Sequence, residues 1–243
     1  MPTFVHGKSA KVLLNGYDVG QYFKNASLAG SVETAEVSAF SANAKSFIIG
    51  LQDGTASLEG MYEGTASGID AILAAAKAAA VKSILTLLVG GDAVGQAGYG
   101  LQGDLTKYEI SNPLDDVVGV SAELQSSVGM ERIISHHALG AETVNANGTA
   151  VNNGAASANG GVGYLEVTAF SGWTDATVKI QDSADGSSGW ADILTFSLVT
   201  PAGSPTSQRV AIAGTVRQYT RYTVTFTGGG PGTMTFQVCF GRK

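Results

Sequence analysis

Short runs in which apolar and polar side chains alternate, each closed off by glycine or another turn former, recur along the whole chain. A two-residue period puts successive side chains on opposite faces of an extended backbone, so the pattern calls for strands joined by turns. KVLLNG at residues 11–16 reads as a strand ending in an Asn15-Gly16 turn, because both residues tolerate positive φ. ILTLLV at 84–89, a strand over 101–110 stopped by Pro113, and one over 117–127 follow. One segment breaks the rule. IDAILAAAKAAAVK sets Ile69, Ile72, Leu73, Ala76 and Ala80 on one helical stripe, and Ser67-Gly68-Ile69-Asp70 reads as a capping box in which the Ser67 hydroxyl accepts the Asp70 N–H. The expected fold is mainly β: a sandwich or barrel with one flanking helix over residues 68–82.

Residues 27–64 stand out within this pattern. Val32, Thr34 and Glu36 alternate with Glu33, Ala35 and Val37, and Ala56, Leu58 and Met61 or Tyr62 lie on a second run bounded by Gly54, Gly60 and Gly64. Between them FSANAKSFIIGLQD, residues 40–53, carries Phe40, Phe47, Ile48, Ile49 and Leu51. Read as a long connection, it is too apolar to stay in water, since connecting segments usually run over the surface. It is expected either to fold back on its own core or to be covered by a partner.

From His137 to Gly163 the composition shifts, residues 138–163 reading ALGAETVNANGTAVNNGAASANGGVG, a stretch with too few large apolar groups to offset its ordering entropy. It is expected to be a linker between a domain at 1–136 and a second at 163–243. The latter holds YLEVTAF, ATVKIQD, WADILTFSLVT, SQRVAIAG, YTRYTVTFTG and GTMTFQVCFGRK, short strands separated by turns, as in a small β-sandwich of immunoglobulin-like or jelly-roll-like kind.

The formal charge is −6, and it is uneven: 14 acidic against 8 basic residues in 1–136, and 6 against 6 beyond. Excess carboxylate repels phosphate, which disfavours nucleic-acid binding by charge. The single cysteine, Cys239, has no partner for a disulfide, and no apolar run is long enough to span a membrane. Gly98, Gly100 and Gly103 spell GxGxxG but precede a strand rather than a helix N-terminus, so a β-turn reading is preferred to dinucleotide binding. His136 and His137 point apart and Cys239 stands alone, which argues against a metal site, and the DSADGSSGW segment around Asp182, Asp185 and Gly186 reads as a hairpin turn rather than a calcium loop. No catalytic carboxylate pair or Ser/His/Asp set is recognisable, and no enzyme activity, cofactor or metal is expected. Trp173 and Trp190, with Tyr164, Tyr219 and Tyr222, could instead face a glycan.

VLLNGYDVGQYFKNASLAGSVETAEVSAFSANAKSFIIGLQDGTASLEGMYEG followed by a capped helix resembles the tail tube (major tail) proteins of long-tailed, non-contractile bacteriophages. The resemblance covers about residues 8–130 and is carried most specifically by VETAEVSAFSANAKSFIIGLQDGTASLEG. It implies a virion protein of the tail, made in the host cytoplasm, that forms hexameric rings stacked into a tube, contacts other virion proteins, and lets DNA pass without binding it specifically. It also implies that the segment 40–53 reaches the neighbouring ring, which makes Phe40, Lys45, Phe47, Ile48, Ile49 and Leu51 subunit-contact residues. Which of Asp18, Glu33, Glu36, Asp53, Glu59, Glu63, Asp104, Glu109 and Glu123 line a lumen is left open. The alternatives are a capsid decoration or other virion surface protein, and a host-glycan-binding module in the second half.

Overall fold

The computed structural model describes residues 6–38 and 44–243, and it is mainly β, with antiparallel pairing throughout and one α-helix among the described residues. In chain order the strands are β1 (Lys11–Leu14), β2 (Tyr17–Asp18), β3 (Phe23–Glu36), β4 (Phe47–Met61), β5 (Ser83–Leu88), β6 (Ala97–Ser111) and β7 (Gly119–Ser126). They continue as β8 (Glu131–Glu142), β9 (Ala146–Asn147), β10 (Val151–Asn152), β11 (Gly161–Ser183), β12 (Ala191–Thr195), β13 (Thr206–Ile212) and β14 (Tyr219–Arg242). The helix α1 is Ile69–Ala78.

Two compact units share these elements, and the division is not the one expected. Unit 1 comprises Met1–Gln21, Ile84–Gly100 and Glu131–Lys243, while unit 2 comprises Tyr22–Ser83 and Leu101–Met130. The first strands of the chain therefore belong with its C-terminal half. The residues expected to form a linker at 137–162 are structured instead. β8 pairs with β14 out to Met234↔Glu142, β9 and β10 pair with β14, and Ser157 bridges Val216. The physical reason is that asparagines supply what apolar burial does not. Asn145 Oδ1 accepts the Phe226 N–H at 2.7 Å, and Asn153 Nδ2 donates to the Gln218 carbonyl and the Thr220 hydroxyl.

In unit 1, β1 turns into β2 through Asn15 (φ 53) and Gly16 (φ 84), the two-residue turn read from the sequence. YLEVTAF and ATVKIQD, expected as separate strands, are one strand, β11, and the last two runs likewise fuse into β14. The two pair along nearly their whole length, with register shifts between Val167 and Ala169 and between Ser171 and Trp173. The turn formers at 171–175 and 228–232 lie opposite one another and bend both strands rather than ending them. Leu165 and Val167 from one side of the bend meet Val178 and Ile180 from the other in a single core with Phe196, Val224 and Phe236.

Unit 1 also buries charge. The Glu131 carboxylate accepts two bonds from the Arg209 guanidinium, at 2.6 and 2.7 Å, and one from the Tyr164 hydroxyl at 2.5 Å. Burial alone would push its pKa up, but these donors outweigh it and hold the carboxyl below its ordinary value. Arg209→Ala leaves that carboxylate, only 9% exposed, without its main partner. Urea unfolding is expected to report a loss of about 3–5 kcal/mol.

In unit 2 the sheet order is β3, β4, β7, β6. Ala56, Leu58, Val120, Ala122 and Leu124 are buried on one face. Tyr108, opposite Ala122 and hence on that face, donates to Asp70 in the first turn of α1, so the helix lies on this side. Its buried stripe is Ile69, Ile72, Leu73 and Ala76. The cap differs from the expected Ser67 box: the N-cap is Gly68 without a side-chain bond, and the Asp70 N–H goes to the Glu63 carbonyl at 3.3 Å. The helix also stops at Ala78, short of Lys82, whose ammonium pairs with Asp104.

Candidate assembly surface

The segment 40–53 is not the long connection expected. From Phe47 onward it is strand, because Phe and β-branched residues suit an extended, pleated backbone, and apolar side chains on both faces hide the usual alternation. β3 and β4 pair from Phe23↔Gly60 to Glu36↔Phe47, whereas β7 accompanies β4 only from Thr55↔Gln125 to Met61↔Gly119. The distal part of the β3–β4 hairpin thus continues past the sheet as a two-stranded arm, about 25 Å long at ~3.4 Å per residue. Such a ribbon is marginally stable in water by itself.

The register assigns its faces. Phe47 and Ile49 share one face with Glu36 and Thr34, and Leu51 has the same parity. Ile48 lies on the other with Ala35, as does Val32 beyond the bulge at 32–34. Phe47, Ile48, Ile49 and Leu51 are 55%, 56%, 79% and 77% exposed, so the arm buries none of them. Lys45 reaches Glu36 at 2.9 Å, a pair exposed enough to contribute at most about 1 kcal/mol. Of the six expected contact residues, the structure brings Lys45, Phe47, Ile48, Ile49 and Leu51 onto the arm. Phe40 lies outside the described residues.

The face of the unit 2 sheet away from α1 is polar and acidic. One row across it runs Asn25, Glu59, Ser121, Glu109, and the next runs Ser27, Ser57, Glu123, Lys107. Lys107 pairs with Glu109 at 2.9 Å, and this contact raises its pKa. Five of the nine acidic residues that the sequence left unsorted, Asp53, Glu59, Asp104, Glu109 and Glu123, alternate with the buried positions and so gather here, Asp53 accepting from the Gln125 amide.

The sequence matches no protein-family model and none of the curated proteins. Several solved structures are similar at low identity. A chain in the virion of a native gene transfer agent particle is 10% identical with a TM-score of 0.44, covering 51% of this chain and 95% of that one. One in the SPP1 tail tube is 14% identical with a TM-score of 0.42, covering 53% and 78%. The SPP1 Dit protein is 12% identical with a TM-score of 0.37, covering 94% and 98%.

The other singled-out residues have structural partners. Gly98, Gly100 and Gly103 lie within β6, not in a turn, where an added Cβ would strike Leu88, the Tyr164 ring and the Gln125 carbonyl respectively; they permit close packing. His136 is buried, with Nδ1 at 3.0 Å from the Ile134 carbonyl and Nε2 at 2.7 Å from Thr220 Oγ1, while His137 stacks on Phe236 and reaches Glu142. Cys239 is buried, and burial pushes its thiol well above the ordinary range. Asp185 caps its own turn: the Ser187 and Ser188 N–H groups and the Ser183 and Ser188 hydroxyls donate to it and hold its carboxyl far below the usual value. Trp173 stacks on Phe226 against the core, and Trp190 carries the Arg221 guanidinium 4.2 Å from its ring centroid. Among the described residues no helix is long and apolar enough to cross a membrane.

The sequence reading missed one exposed apolar group. Ile110, Leu114 and Val117 flank the β6–β7 turn at the end of the sheet away from the arm, with Leu114 wholly exposed. Pro113 was read as a strand stop, and the apolar residues on either side were the available signal.

Proposed function

We propose that the chain is a structural subunit of a virion that assembles with copies of itself into stacked rings, forming the wall of a tail tube through which DNA passes. The observation that carries this reading is the arm: a hairpin with four large apolar side chains on its two faces, projecting beyond its own sheet and left exposed by the described residues. Burying Phe47, Ile48, Ile49 and Leu51 would stabilise a contact by roughly 6–12 kcal/mol at about 1.5–3 each. Association costs about 4–15 kcal/mol. One arm therefore barely holds a pair, and many repeated contacts are needed, as in a polymer.

The rest of unit 2 supports the same reading. α1 covers one face of the sheet, leaving the acidic face for a lumen, where Glu59, Asp104, Glu109 and Glu123 would repel phosphate and let a duplex slide. Among the described residues β3 pairs with β4 alone, and an edge of this kind is one that another chain can extend, which suits lateral joining around a ring. Electron microscopy of the purified full-length chain over a series of rising concentrations tests the proposal. Hollow cylinders are expected; monomers or closed, non-stacking oligomers under every condition would refute it.

A further inference from the structure

Asparagine followed by glycine occurs four times, at Asn15, Asn147, Asn153 and Asn159, all in unit 1. The pair is chemically labile, because asparagine amides are thermolabile and a glycine without Cβ lets its backbone nitrogen approach the preceding side chain closely. That nitrogen attacks the asparagine Cγ: an N–Cγ bond forms, the Cγ–Nδ2 bond breaks, and the glycine proton leaves with ammonia. Water then opens the cyclic imide to aspartate or isoaspartate. The attack needs the glycine nitrogen free, and the fold engages every one of the four. The Gly16 N–H donates to Glu166 Oε2 at 2.8 Å, Gly148 to the Tyr222 carbonyl at 2.9 Å, Gly154 to Asn152 Oδ1 at 2.9 Å and Gly160 to the Gly214 carbonyl at 2.8 Å.

The four pairs are not held equally. Asn15 Oδ1 accepts the Ile84 N–H at 2.9 Å, and Asn153 Nδ2, the nitrogen that would leave, donates to the Gln218 carbonyl and the Thr220 hydroxyl. At these two positions the side chain is fixed as well as the glycine. Asn147 and Asn159 are exposed, and neither side chain makes a hydrogen bond among the described residues. Gly160 is nevertheless buried and held on both sides, since its carbonyl accepts the Lys243 N–H at 3.0 Å while its own N–H is engaged. Gly148 instead follows β9, a strand of two residues whose pairing with β14 consists of Thr223↔Asn147 and Val224↔Ala146. So short an edge strand opens locally at little cost. We propose that Asn147 is a modification site, the place where the folded chain deamidates first, with opening of the Gly148–Tyr222 bond setting the rate. Isoaspartate there adds a methylene to the backbone, which breaks the β9–β14 register and uncovers the edge of β14 at Thr223 and Val224.

Peptide mapping by mass spectrometry, with enzymatic methylation of isoaspartate, tests this on the dilute full-length chain incubated at neutral pH, folded and in urea. In the folded chain Asn147 is expected to convert at least about tenfold faster than Asn15 or Asn153, the ratio given by a difference of about 1.4 kcal/mol in the cost of opening. In urea the four should convert at similar rates, all faster than in the folded chain. Asn147→Gln should remove the leading signal and leave the circular dichroism spectrum unchanged. Conversion of Asn15, Asn153 or Asn159 as early as Asn147 in the folded chain would overturn the assignment. Equal rates at Asn147 in the folded and the unfolded chain would overturn the protective role of the Gly148–Tyr222 bond. A folded chain that stays unmodified while the unfolded chain converts completely would overturn Asn147 as a site.

Discussion

Ile48→Asp is expected to leave the monomer folded and to stop assembly. Ile48 is 56% exposed and pairs with Ala35 on the arm beyond the end of the β7 strand, so no core contact is lost. The substitution is expected to change monomer stability by no more than about 0.5 kcal/mol, as for surface positions generally. In the assembled state the same carboxylate would be buried without a cation, at a cost of several kcal/mol. Since one arm contributes little beyond the cost of association, a loss of about 4 kcal/mol raises the concentration needed for assembly about a thousandfold. Sedimentation should show only small species where the wild type pellets, with an unchanged circular dichroism spectrum and urea midpoint. Ile48→Val, which keeps the apolar surface, should still assemble. Normal tubes from Ile48→Asp would remove the arm from the contact.

Stability of unit 1 is expected to fall with rising pH, and Glu166→Gln is expected to abolish that fall. Glu166 is fully buried; Oε2 accepts the Gly16 N–H at 2.8 Å, and Oε1 lies 3.0 Å from Thr86 Oγ1. Two bonds to neutral donors do not compensate a desolvated charge. Burial raises the pKa from 4.5 to about 8 in spite of the Gly16 and Thr86 bonds, so the folded carboxyl keeps its proton at neutral pH. Between pH 4.5 and about 8 the unfolded chain has released this proton and the folded chain has not, so folding becomes less favourable as pH rises, by about 1.4 kcal/mol per pH unit.

His136 acts in the opposite sense and a lower window. Burial lowers its pKa from 6.5 to about 4, so below 6.5 the unfolded chain gains a proton that the folded chain refuses, and stability falls with falling pH. The two effects offset between pH 4.5 and 6.5, leaving the Glu166 loss visible from there to about 8. Gln at 166 mimics the protonated acid: its amide can donate to Thr86 and its carbonyl can accept from Gly16. Thermal unfolding of both proteins from pH 5 to 9 should therefore show Glu166→Gln increasingly the more stable as pH rises, by several kcal/mol at the upper end. Parallel profiles would mean that the carboxyl is ionised in the folded chain.

Local chemistry was legible in the sequence wherever it decided the structure locally. Asn15-Gly16 marked a turn because the backbone there needs positive φ, and the Ile69, Ile72, Leu73, Ala76 stripe marked the buried face of the only helix described. The partition into units was not legible, since β1 pairs with β5 and the start of β6 links β5 to β8, β14 and β11 through long-range pairing that no local period encodes. The asparagine-rich stretch at 137–162 misled for a related reason: composition measures apolar burial and is blind to Asn145 and Asn153 bonding the backbone beside them. The bend residues at 171–175 and 228–232 carried the same turn formers as hairpins, and only their apposition across β11 and β14 makes them bends. On the arm, Phe47, Ile48, Ile49 and Leu51 were conspicuous as apolar residues without a core. Their place on a strand was obscured because both faces of that strand are apolar.

Hydrogen exchange at the arm amides, residues 31–37 and 47–53, compared between monomer and assembled protein, tests most directly that another copy covers the arm. In the monomer these amides should exchange fast, as expected of a two-stranded ribbon in water. Assembly should slow them far more than it slows the amides of the unit 1 core around Val178 and Val224, which are already protected by burial. Equal exchange at the arm in monomer and polymer would contradict the proposal, since it would leave the apolar faces of the arm in water in both states.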